Sequence, residues 1–238
     1  MFEGRRRILE AAHLVYYQFW GEQSEHLGHQ LQPVPGYGHL QYLNEERINS
    51  LGLKTLDYNE VVLLVREEYE VAYNYLRLCE GNPDSRGGGM VVTGQPGIGL
   101  HLPPTTVSFA NNRYLISNPG KTCFLYYLLF RLLGVRKTVA LQVRDNFVLF
   151  QGTGVHLEYD MGSAGGHGIP SGAWALTDSH SGFKEPCPPF LTAQRANGAW
   201  VVQTTSPSKD KWATWRKEYT ADLYWMDVFS LDELKALG

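Results

Sequence analysis

Apolar residues change their spacing several times along this chain, and the changes mark its elements. Over residues 5–20 (RRRILEAAHLVYYQFW) they return at helical intervals, which predicts an amphipathic helix at the start of the chain. Residues 21–44 mix Gly, Pro, Gln and His around VPGYG and read as a loop without a core element. From Tyr58 to Leu78, Val61, Val65, Tyr69, Ala72 and Leu76 recur every three or four positions. Arg66, Glu67, Glu70 and Arg77 lie on the other faces, so the pattern predicts one long amphipathic helix.

The turn-forming run EGNPDSRGGG (80–89) is the best boundary in the chain, dividing a helical N-terminal extension (1–88) from a core (89–238). Beyond it the pattern becomes short and apolar, at 90–93 (MVVT), 137–142 (KTVALQ), 173–178 (AWALTD), 200–204 (WVVQT) and 224–228 (YWMDV). These five runs predict buried strands, and the helical stretches 121–133 and 208–219 between them predict an α/β fold with a mostly parallel sheet flanked by helices. FVLFQ (146–150) and GVHLEY (154–159) predict a small hairpin. In the final SLDELKALG, Ser230 and Glu233 have capping-box spacing for a short helix.

Composition narrows the picture. The 238 residues, 43% hydrophobic and 13% aromatic, suffice for a large core. A formal charge of −3 gives no electrostatic footprint for nucleic acid or an anionic membrane, so nucleic acid is a partner that charge does not indicate. The apolar stretch Cys123–Leu133 carries Arg131 and is much shorter than the roughly 20 residues a spanning helix needs. Cys79, Cys123 and Cys187 lie far apart without CxxC spacing, which predicts free thiols in a reducing, intracellular setting.

The chemistry is concentrated in a divided loop. MVVTGQPGIG runs from a predicted strand into a glycine-rich turn, and GKTCFLYYLLF opens a predicted helix after an insertion at 100–120. With the insertion spliced out, Gly94, Gln95, Pro96, Gly97, Ile98 and Gly99 join Lys121 and Thr122 as a complete GxxxxGK[ST] motif between strand and helix, and Gly120 can replace Gly99 in it. Glycines let successive N–H groups curl around phosphate oxygens at a helix N-terminus, where the helix dipole favours an anion. Lys121 would neutralise the β- and γ-phosphates of ATP, and Thr122 would offer its hydroxyl to Mg²⁺. The bland alternative is an ordinary turn followed by an ordinary helix start. It requires both halves to match by accident and in order.

The insertion LHLPPTTVSFANNRYLISNPG shows no helical or strand period, and its flanking glycines suggest a translated intron split across a glycine codon. It is expected to weaken nucleotide binding, because the loop amides must follow one curve into the helix.

Asp178, at the end of the AWALTD strand, is the candidate Mg²⁺ carboxylate, the alternative being a cap on the turn that follows. The WVVQTTSP strand ends in Thr204, Thr205 and Ser206, which suits a polar sensor of the γ-phosphate, with Thr205 the candidate; equally, Ser206 could cap a helix opened by Pro207. Ser179 occupies the position after Asp178 where many such ATPases carry a water-activating glutamate, so hydrolysis is less strongly indicated than binding.

The order GQPGIG, GKT, ALTDS, QTTSP and YWMDVFSLDELKALG resembles fungal P-loop proteins related to the ATPase modules of the crinkler and retrotransposon-hot-spot families. The resemblance runs from about VPGYG to the C-terminus. It implies an AAA-like or STAND-like fold with the P-loop strand central, Mg²⁺-dependent ATP binding, and a DNA-processing or effector setting. It also implies a helical lid after the fifth strand, for which this sequence has no room, so the expectation is a truncated module. An ATP hydrolase and a degenerate nucleotide-binding or protein-interaction module of the same fold are the two functions to separate.

Overall fold

The first apolar stripe folds as helix α1 (Phe2–Phe19), with Ile8, Ala11, Ala12, Val15 and Phe19 buried along one side. The computed structural model describes residues 2–21, 27, 28, 30–34, 36–60, 62–80, 88–94, 105–109, 112–116, 120–158, 168–179, 185–230 and 233.

Residues 21–44 are not merely loop. They contain strands β1 (Gln32–Val34) and β2 (Tyr37–Leu43), paired antiparallel, and helix α2 (Glu45–Ser50) follows. Asn44 caps α2, its Oδ1 accepting the Arg47 N–H at 2.8 Å. The long helix expected from Tyr58 is also shorter than its periodicity suggests. Leu63–Val65 is strand β3, antiparallel to β2, and helix α3 begins only at Glu67 (Glu67–Glu80). A continuous apolar run such as VVLLV fits a buried strand as well as a helix, and here a sheet partner decides. The segment before residue 88 is therefore helical with a three-stranded antiparallel sheet, β1-β2-β3.

Strand β4 (Gly89–Gly94) leads towards the divided loop. Inside the insertion the backbone of β5 (Thr105–Phe109) pairs antiparallel with β6 (Asn112–Ile116), a hairpin that the absence of period did not foretell. Helix α4 (Lys121–Gly134) follows, then β7 (Val139–Val143), the predicted hairpin β8 (Asn146–Gln151) and β9 (Gly154–Glu158), and β10 (Trp174–Asp178). Helix α5 (Pro188–Asn197) was not anticipated, although proline in its first turn and Gly198 in the left-handed conformation (φ 64°) mark both ends. Strand β11 (Trp200–Thr204) precedes a 3₁₀ turn (Lys209–Lys211) and helix α6 (Ala213–Glu218), two pieces where one helix was expected. Strand β12 (Asp222–Met226) is the last.

The fold is mixed α/β around a seven-stranded sheet in the order β12-β4-β11-β10-β7-β8-β9. The five strands from β12 to β7 are mutually parallel, and β8 and β9 extend them antiparallel, so the sheet is larger and more mixed than the sequence implies. Side chains alternate between its faces. Met90, Val92, Leu141, Leu176 and Val202 join the core beneath α1, α3 and α4, and Val91, Ala140, Ala175 and Val201 join the core beneath α5 and α6. Helix α4 is buried on nearly every side, which explains why CFLYYLLFRLL carries so little polarity. Among the described residues no helix is long and apolar enough to cross a membrane.

Candidate functional site

In a parallel sheet all the carboxyl ends of the strands lie on one rim, and ligands bind outside that rim. Here the rim carries Gly94, Asp178, Thr204 and Met226, the last residues of β4, β10, β11 and β12. Against it rests the start of α4. Thr122 Oγ1 donates to Asp178 Oδ2 at 2.7 Å, joining residues 56 positions apart, and Thr204 Oγ1 donates to Asp178 Oδ1 at 2.8 Å. Both carboxylate oxygens are thus held by hydroxyls; the turn that Asp178 could cap, from residue 180 on, lies outside the described residues.

Lys121 stands beside this pair. Burial depresses its ammonium pKa below the ordinary lysine value; Asp178 opposes the shift, and the positive charge of Lys211 adds to it. Lys121 has no ion pair with a described residue. A partly buried ammonium at a helix start, without an ion pair among the described residues, favours an anion beside it. The helix end favours an anion in the same way: the N-cap, Gly120, supplies no side-chain bond to the first amides, and a Cβ built on it meets no described atom within 4 Å.

Gly94 has a packing reason to be glycine. A Cβ there would lie 3.0 Å from the Met226 carbonyl oxygen and 3.3 Å from Met226 Cβ, so β12 can lie against β4 only without it. Gln95, Pro96, Gly97, Ile98 and Gly99 lie outside the described residues.

Thr205 is buried just past β11. Its N–H bonds the Val92 carbonyl at 3.0 Å, its hydroxyl meets Ser179 Oγ at 2.7 Å, and its carbonyl accepts from Thr93 Oγ1 at 3.2 Å. Ser206 does not open a helix; the N-cap of the 3₁₀ turn is Ser208. The polar strand end with Thr204 was legible in the sequence, though not its bond to Asp178, and Lys211 was missed. Thr204 shares a strand face with Trp200 and Val202, so its direction towards α4 followed from the period of two. Lys211 had no signal, because its approach depends on the chain folding back after β11, where Gln203 Nε2 donates to the Lys211 carbonyl at 3.4 Å.

The oxygen donors Thr122 and Asp178 suit a hard cation. Among the described residues no group of three or more His, Cys, Asp or Glu surrounds a common point, so a Mg²⁺ ion here would need phosphate oxygens and water to complete its shell. A cavity of about 390 Å³ lies elsewhere, lined by Gln30, Gln32, Asn44, Glu46, Arg47 and Ser50, and contains none of these residues. No protein-family model, curated protein or solved structure matches the chain.

Proposed function

We propose that this chain binds ATP with Mg²⁺ at the start of α4, as the nucleotide-binding module of an AAA-like P-loop ATPase. The observation that carries the proposal is the 2.7 Å bond between Thr122 and Asp178, two residues assigned to one metal ion from separate motifs far apart in sequence. The strand order supports it as well. The strand entering the loop, β4, lies inside the parallel set, and β11 stands between it and β10, so the polar ends of β10 and β11 lie beside the strand that enters the loop.

In this reading the first amides of α4 and the Lys121 ammonium bind the β- and γ-phosphates, and the anion favours the charged form of Lys121. Thr122 and Asp178 hold the Mg²⁺ shell. The ion, when bound, would supply positive charge against the phosphate oxygens and stabilise the charge that develops as ADP leaves the γ-phosphorus. Thr204 fixes the Asp178 carboxylate, and Thr205 orients Ser179 at the edge of the site.

A second reading, binding without turnover, has its own support. The position that would activate water is Ser179, whose hydroxyl is engaged with Thr205. Calorimetric ATP binding and phosphate release, measured on wild type and Lys121→Ala, separate the cases. Binding and turnover that both vanish in the variant support the ATPase; binding alone supports the second reading; no binding by wild type refutes both.

A further inference from the structure

The carbonyl of Gly120 is held by two donors. The Tyr69 hydroxyl reaches it at 2.7 Å and the Phe124 N–H at 3.0 Å. A trans peptide sets its C=O and the following N–H in opposite directions. No cis peptide occurs among the described residues. A Gly120 carbonyl drawn inward therefore turns the Lys121 amide outward, beyond the helix start.

Tyr69 can hold that carbonyl because it is itself fixed. It is fully buried, and its ring packs against Phe124 (centroids 5.5 Å apart) and Tyr127 (5.7 Å). The Arg66 guanidinium lies 5.8 Å from its ring centroid and is anchored in turn by Glu233 and by the carbonyls of Asp227 and Val228. Burial raises the phenol pKa well above its usual value, so the hydroxyl keeps the proton it donates.

We propose that Tyr69 is a positioning residue of the phosphate site, which aims the Lys121 amide at the bound anion through the Gly120 carbonyl. The role rests on the ATP reading above, and it adds a residue outside every loop motif. Tyr126 provides the comparison. It is also buried, lies one turn further along α4, and bonds the Leu56 carbonyl rather than a carbonyl of the helix start.

The test is calorimetric titration of the full chain with Mg²⁺-ATP and with Mg²⁺-pyrophosphate. Tyr69→Phe should weaken both by about fivefold, the factor that one net hydrogen bond of ~1 kcal/mol represents. Tyr126→Phe should lose thermal stability to a similar degree yet bind both ligands as wild type does. Equal affinity of Tyr69→Phe and wild type overturns the proposal, and so does an equal loss in Tyr126→Phe. If Tyr69→Phe does not fold, the Lys121 amide of wild type still decides by NMR: it should be among the resonances most shifted by pyrophosphate, and an unmoved signal overturns the role. Wild type that binds neither ligand refutes the nucleotide reading itself, a result distinct from binding that ignores Tyr69.

Discussion

Replacing Glu233 by alanine should cost this protein a large part of its stability. Arg66 is 4% exposed and Glu233 8%, and they are joined by two hydrogen bonds of 2.8 and 3.3 Å. Glu233 also completes the capping box foreseen in the sequence: it accepts the Ser230 N–H at 2.6 Å, while its own N–H donates to Ser230 Oγ at 3.2 Å. The alanine variant leaves Arg66 with two carbonyls and the Phe229 ring (4.1 Å), but no counter-charge paired with it among the described residues. Breaking a buried pair from one side costs about 3–5 kcal/mol, and a lost cap adds about 1 kcal/mol. Against a total stability of about 5–15 kcal/mol, that is a large fraction. Thermal unfolding should move down by on the order of 10 °C, at roughly 2–4 °C per kcal/mol for a chain of this size. Arg66→Met combined with Glu233→Leu, which leaves no orphaned charge, should recover most of the loss. A single-variant cost within about 0.5 kcal/mol, the range of an ordinary surface change, would refute the reasoning.

Three further outcomes are expected. The bonds from Arg66 and Ser230 hold the Glu233 carboxyl below its usual pKa against the opposing effect of burial, so its stabilisation is complete above about pH 4.3 and is lost as pH falls through the depressed folded-state value. Denaturant titrations across that acid range should be flatter for Glu233→Gln, and parallel curves would contradict the assignment. Lys211→Ala should weaken ATP binding about threefold while raising the Lys121 pKa, both readable by titration and NMR; unchanged affinity would remove Lys211 from the site. Deleting residues 100–120, which restores a continuous GxxxxGKT, should tighten ATP binding, and equal affinity would show that the inserted hairpin does not disturb the loop.

The strands of the large sheet were legible because each is short, apolar and bounded by turn formers, and because parallel strands buried on both faces need no polar alternation. VVLLV and the 37–43 strand were not, since a three-residue strand has too few positions for a period, and Gly and His break the alternation of Leu40 and Tyr42. At the site, Thr122 and Asp178 could be paired in sequence because motif order carries chemical meaning. Tyr69 and Lys211 could not. Their contacts depend on how α3 and the chain after β11 return to the rim, which no local pattern encodes.

The most direct test of the central claim compares ATP affinity with and without Mg²⁺ in wild type and Asp178→Asn. If Thr122 and Asp178 hold the ion together, wild type binds ATP more tightly with Mg²⁺ and the variant loses that gain while still binding ATP through Lys121. An Mg²⁺-dependent gain of equal size in both proteins would contradict the account.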